Sequence, residues 1–246
     1  MPLGPGDPDP VEVLNPGGRA GVVLTCEHAG QAVPASLDNL GLPQEELDRH
    51  IGWDIGAYGV ATRLSRLIDA PLVSQRYSRL VVDCNRPHGA PTHIPEVSDG
   101  TEVPANRGLA AEERALRHAA IHAPLHDAIA SLLDARPGAV LVAIHSFTPQ
   151  LRSDPAPRPW DVGFLWRQDG AFATRLLEAM GETGDLLLAH NEPYRIDDEG
   201  DYTIPVHGEA RRIPHVLLEI RNDRIASPEG QAEFAARLAS ALEDAL

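Results

Sequence analysis

The sequence has few cysteines, no long apolar run and no excess of basic charge, and each shortage removes a class of protein. Two cysteines, Cys26 and Cys84, cannot build a disulfide framework and lack zinc-knuckle spacing. Buried, reduced, structural thiols are therefore expected. No apolar stretch approaches the roughly 20 residues that a membrane-spanning helix needs. The formal net charge of −15 argues against nucleic acid, whose phosphates are held by clustered arginine and lysine. A glycine-rich dinucleotide fingerprint and a Walker lysine motif are also missing where the first strand turns, so phosphate cradling is not expected. The opening Met1-Pro-Leu-Gly-Pro-Gly-Asp-Pro has neither the basic start nor the apolar stretch of a secretory signal. It predicts a mobile tail over residues 1–18 and a cytoplasmic protein.

What is present is the balance of a soluble globular chain, 43% apolar and 23% charged over 246 residues, with no linker dividing it. One domain is expected over residues 19–246. Short apolar runs alternate with helical periodicity along it. Strands are expected at Gly21–Cys26, Ala70–Ser74, Leu80–Asp83, Ala139–His145, Asp161–Trp166, Asp185–His190 and Val216–Arg221. Helices are expected at Ile55–Leu67, Ala111–Ala135, Ala171–Met180 and Pro228–Leu246, with Pro124 kinking or splitting the second. Residues 87–108 are rich in proline, glycine and threonine and read as an active-site or disordered loop. Such alternation predicts an α/β fold: a mixed, mostly parallel sheet covered by helices on both faces.

Several strands end in groups that bind metals or move protons. His28 follows the first strand, Asp54 precedes a helix and His145 closes the most apolar strand. Two imidazoles and a carboxylate from separate elements are what a catalytic zinc site needs, because three protein ligands leave a position for water. Each has a plainer reading as a satisfied histidine or, for Asp54, a helix cap. Glu27 is the alternative acidic ligand, but neighbours on an extended segment point to opposite sides, so Glu27 and His28 would not easily share one ion. Glu219 interrupts an apolar strand, where a lone carboxylate is costly. It either acts in proton transfer or pairs with Arg221 on the same strand face. His122 and His126 stand four apart on the Pro124 helix, with no third ligand evident, and read as packing or supporting groups.

These positions carry a family resemblance. Thr25-Cys-Glu-His-Ala-Gly30, Gly52-Trp-Asp-Ile-Gly56, Tyr77-Ser-Arg-Leu-Val-Val-Asp-Cys-Asn-Arg-Pro87, His145-Ser146, Asn191-Glu-Pro-Tyr194 and Glu219-Ile-Arg221 occur in the order seen in N-formylglutamate amidohydrolase-like proteins. The early Cys-Glu-His-Ala-Gly departs from the Pro-His-Ser-Gly of the characterised formylglutamate enzymes, which makes this a divergent branch. The resemblance implies a zinc carboxypeptidase-like (phosphorylase/hydrolase-like) fold and a Zn2+ ion, or another divalent metal, held by His28, Asp54 and His145. It also implies Glu219 as the acid-base group. Asn85-Arg86 is similar to the Asn-Arg pair that holds a terminal carboxylate in zinc carboxypeptidases. Arg79, Tyr194, His207 and Arg221 complete the substrate-binding candidates, with Arg79 read equally as a structural partner of Asp83 or a surface residue, and Tyr194 and His207 equally as surface-loop residues. The implied reaction is hydrolysis of a small N-acyl amino acid, most simply N-formylglutamate to glutamate and formate. The alternatives are a carboxypeptidase, a deacylase for another N-acyl amino acid, or a non-catalytic anion-binding protein that kept the fold.

Overall fold

A computed structural model describes residues 3–246. Seven strands form the main sheet: β1 (Val11–Leu14), β2 (Val22–Cys26), β3 (Leu72–Gln75), β6 (Val140–Phe147), β7 (Val162–Leu165), β8 (Leu188–His190) and β9 (His215–Arg221). Their spatial order is β1-β3-β2-β6-β9-β7-β8. The β3-β2-β6-β9 centre is parallel, β1 and β7 each run antiparallel to the neighbour that ties them to it, and β8 is parallel to β7. A separate two-stranded ladder pairs β4 (Val97–Ser98) with β5 (Thr101–Glu102). The helices are α1 (Gln44–Leu47), α2 (Ala57–Leu67), α3 (Ala111–Arg117), α4 (Ala123–Asp134), α5 (Ala171–Gly181) and α6 (Pro228–Ala245).

The expected architecture, a mixed and mostly parallel sheet with helices on both faces, is the observed one, and the strand alternation explains it. Val22, Leu24, Val140, Val142, Ile144, Val216 and Leu218 point to one side, into a core closed by α2, α5 and α6. Val23 and Val73 point to the other, where Ile121, Leu125, Ile129 and Leu133 of the α3–α4 run cover them. A sheet buried on both faces needs apolar residues at successive positions, which is why these strands read as continuous apolar runs. Cys26 and Cys84 are both buried free thiols. Ser227 caps α6 by accepting the Gly230 N–H at 3.2 Å, and Pro228 follows at the first helical position, where its missing N–H leaves no bond unmade. No helix among the described residues is long and apolar enough to cross a membrane.

Three expectations are corrected. Of the segment expected as a mobile tail, residues 1 and 2 lie outside the described residues, and the rest is tied to the fold: β1 pairs with β3, the Arg76 N–H donates to Pro10 C=O and the Tyr77 hydroxyl donates to Pro8 C=O. By pairing with β3 on the side away from β2, β1 becomes the edge of the sheet and satisfies backbone groups that β3 would otherwise leave unpaired. Leu80–Asp83 is not a strand. It is a run of turns, with Val81 N–H donating to Ser78 C=O and Asn85 N–H to the Asp83 carboxylate. Its apolar side chains are buried under the loops rather than in the sheet, and periodicity alone does not separate those two kinds of burial. The loop from 87 to 108 is folded, containing β4, β5 and two short 3-10 turns. Buried Arg117 anchors it by donating to Asn106 Oδ1 at 2.7 Å and to Val81 C=O at 3.2 Å.

Pro124 does interrupt the long helix. The interruption is a π turn over His118–His122, in which the Ala123 N–H donates to His118 C=O. Proline cannot supply the next helical N–H, and a widened turn accommodates the lost bond.

Gly163 on β7 lies opposite Glu219 on β9, and a Cβ there would stand 1.8 Å from the Glu192 carbonyl oxygen. Gly163→Ala must push the 191–194 segment away from the sheet. The expected loss is about 1–3 kcal/mol, read as a lower urea midpoint. An unchanged midpoint would show that this segment yields freely.

Candidate metal centre

The C-terminal ends of the parallel strands deliver the chemistry-bearing residues to one place. β2 ends at Cys26, so Glu27 and His28 emerge together; His145 sits near the end of β6; and Glu219 is its direct register partner on β9. Asp54 arrives from the loop before α2, whose backbone N–H donates to His28 C=O at 2.9 Å. All of these side chains are at least nine-tenths buried.

His28 Nδ1, Asp54 Oδ2 and His145 Nδ1 converge on one another. His145 Nδ1 lies 2.9 Å from Asp54 Oδ2 and 3.2 Å from His28 Nδ1, and His28 Nδ1 lies 3.4 Å from Asp54 Oδ2. Ligand atoms bound at about 2.0–2.1 Å to one tetrahedral zinc ion stand roughly 3.3–3.4 Å apart. The observed triangle fits such an ion with little rearrangement. Each histidine has a carboxylate behind it: His28 Nε2 is hydrogen-bonded to Asp83 Oδ1 at 2.7 Å, and Glu27 Oε2 approaches His145 Nε2 at 2.9 Å as an ion-pair contact without hydrogen-bond geometry. Carboxylates in that position fix the ring and its tautomer, as supports of metal-binding histidines do.

The electrostatics suit a cation. Burial alone would raise the Asp54 carboxyl, but His28 and His145 hold it well below the usual carboxylate range. Asp83 is likewise held low against burial, by Arg79 and His28. Glu27 is kept down at about 2, its desolvation outweighed by His145 and the Thr25 hydroxyl. Burial would lower His145, yet Asp54 and Glu27 raise it well above an ordinary histidine. A proton on that ring thus supplies positive charge that a metal ion would supply instead. Glu219 differs from the rest. Burial pushes it up to about 8 against the pull of His145, and its Oε2 is buried with no hydrogen-bond partner.

Asp54 does not cap α2 with its side chain: one oxygen faces the histidines and accepts the Ser146 N–H at 3.2 Å, and the other accepts from Arg79 at 3.3 Å. Arg79 also donates to Asp83 through Nε and Nη2, at 2.9 and 2.7 Å. It braces two carboxylates of the centre and still lines the cavity above it. That cavity, about 290 Å³, is lined by His28, His145 and Glu219 together with Asn85, Arg86 and Tyr194. Asn85 uses its polar ends on the protein itself, donating to Asp201 and accepting the Tyr202 and Thr203 N–H groups. Among the described residues the Arg86 guanidinium donates only through Nη1, to the carbonyls of Asn85 and Gly200. Tyr194 receives a hydrogen bond from Arg158 at 2.7 Å.

Two expected pocket residues lie elsewhere. His207 is buried against His126, with rings stacked at 5.2 Å, and does not border the cavity. Arg221 extends away from Glu219 to Asp223, Asp161 and the Pro159 carbonyl. A strand-face argument permits the 219–221 pair, but two acidic partners beside Arg221 take the guanidinium. Sequence reasoning also missed Asp83 as the support of His28. The dense Tyr77–Pro87 block was the available signal.

Residues 20–226 match the model of the N-formylglutamate amidohydrolase family. Among solved structures, the gene product Atu2144 from Agrobacterium tumefaciens is similar at 35% identity and a TM-score of 0.94, over 99% of this chain and 97% of that one. The N-formylglutamate amidohydrolase from Ralstonia eutropha JMP134 is similar at 20% identity and a TM-score of 0.70, over 96% and 97% of the two chains. A search of curated proteins gave no match.

Proposed function

This chain belongs to the N-formylglutamate amidohydrolase family, and on that premise we propose that it is a zinc-dependent hydrolase of N-acyl amino acids, with N-formylglutamate the simplest substrate. The observation that carries the reading is the triangle of His28 Nδ1, Asp54 Oδ2 and His145 Nδ1 with an unpaired, buried Glu219 beside it. A zinc ion held there would polarise the scissile carbonyl and acidify the attacking water. Glu219, whose Oε2 is buried and unpaired beside the triangle, receives the water proton and returns it to the departing amine. Asp83 and Glu27 keep the two histidines aimed while Arg79 steadies Asp54. Arg86, lining the same cavity, binds the carboxylate of the amino acid through donors that its carbonyl contacts leave open. An acidic protein needs such a local cation to attract an anionic substrate.

A screen of N-formyl and N-acetyl amino acids against metal-replete enzyme, with metal content measured on protein purified without chelator, tests the whole reading. Stoichiometric zinc and hydrolysis of one acyl class are expected. Absence of both would leave an anion-binding protein. The arginine role has its own test. Losing a hydrogen bond to a charged group costs about 1.5–3 kcal/mol, so Arg86→Ala is expected to lower kcat/KM roughly 10–150-fold. Arg86→Lys should also impair recognition, since lysine lacks the planar pair of donors. If Arg86→Ala weakens hydrolysis of N-formylglutamate and of its α-amide equally, Arg86 does not read that carboxylate.

A further inference from the structure

A file of histidine rings runs beside the cavity but outside it. From the surface inward it comprises His88, His93, His118, His122, His126 and His207. Successive ring centroids are 4.4 Å apart for His88–His118, 4.4 Å for His118–His122, 4.5 Å for His122–His126 and 5.2 Å for His126–His207. Its outer end is a triad. His88 is exposed, His93 buried and His118 half-buried, and each ring brings one nitrogen to within 4.8 Å of the others. His93 and His118 come from different parts of the chain, the 3-10 turn after Pro91 and the start of the π turn.

Packing alone does not account for this arrangement. His93 Nε2 and His118 Nδ1 are buried without a hydrogen-bond partner, an uncommon state for polar atoms in a folded protein. The backbone at His93 is fixed, because its C=O accepts the Asp83 N–H at 2.8 Å. Only a modest closure separates nitrogens within 4.8 Å from the roughly 3.3 Å edge of a bound tetrahedral ion. His88, being exposed, is free to make that closure.

We propose that His88, His93 and His118 form a second metal site, separate from the His28–Asp54–His145 centre, for a divalent first-row ion that favours imidazole, such as Zn2+. The donor set is nitrogen only, which disfavours magnesium and calcium, whose ligands are oxygen. Three ligands leave a coordination position for water. The bound ion clips the loop carrying His88 and His93 to the helix at its π turn. Because His93 C=O holds Asp83, and His122 Nε2 lies 3.1 Å from Arg86 C=O, the clip lies directly behind both the support of His28 and the pocket arginine.

The test is titration of Zn2+ into the full chain after chelator treatment, with bound metal per chain and affinity measured by calorimetry and by chelator competition. The unmodified protein is expected to bind two ions per chain. A His88→Ala/His118→Ala double variant should lose one, and His145→Ala should lose the other. Removing first ligands should weaken the second site by more than the ~10–100-fold typical of losing a supporting partner. Should the double variant fail to fold, His88→Ala alone, at an exposed position, should weaken the same ion. A single ion lost in the double variant but kept in His145→Ala upholds this site and removes the catalytic-centre reading. One ion lost only in His145→Ala, or a second ion bound equally well by the double variant, overturns the proposal.

Discussion

Replacing His145 with Ala removes most of the zinc from the candidate centre and nearly all hydrolysis. One imidazole and one carboxylate remain, fewer than the three protein ligands of a catalytic zinc site. The variant also leaves Glu27 without the ring that it faces at 2.9 Å, so some loss of stability accompanies the loss of metal. His28→Ala likewise takes from Asp83 the ring that it faces at 2.7 Å, but Arg79 and the Asn85 N–H still hold that carboxylate, so a smaller loss of stability is expected. Both variants should lose this metal while circular dichroism reports a folded protein. Asp54→Ala should behave as they do. Its carboxylate makes no cap to α2, so a drop of about 1 kcal/mol with metal retained, the signature of a lost cap, is not expected. Full metal content at this centre in both histidine variants would remove them from the ligand set.

Glu219→Gln keeps zinc and fold and loses about 10²–10⁴-fold in turnover, the range that a general acid-base group contributes. The substitution preserves shape and removes only the ability to take a proton. Stability should hold, because a carboxyl that burial already drives toward its neutral form is replaced by a neutral amide of the same shape. No arginine is stranded by the change, since Arg221 is paired with Asp161 and Asp223. Turnover, metal content and melting temperature on one preparation decide the matter. Near-normal turnover in a folded, metal-loaded variant would exclude Glu219 from proton transfer, and a sharp fall in melting temperature would point to a structural carboxylate.

Much of this molecule is determined by its sequence alone. Apolar runs such as Val140–Ile144 and Val216–Leu218 specify central strands, because only a sheet covered on both faces buries successive side chains. The Ser-Pro start of α6 and the proline that breaks the long helix are equally local signals. His28, His145 and Glu219 are legible as strand-end or strand-borne polar groups among apolar residues, and Asp54 as an acidic residue just ahead of a helix. Tertiary structure decided what each polar group faces. The register that sets His145 against Glu219, the reach of Asp83 back to His28, and the capture of Arg221 by Asp161 all join residues distant in sequence or depend on strand pairing. So does the histidine file, assembled from a loop, a helix and a later turn, where spacing along the chain identified only His122 and His126. Periodicity records which side of an element is buried; it carries no record of which partner from elsewhere in the chain arrives there, and the chemistry of a buried polar group is set by that partner.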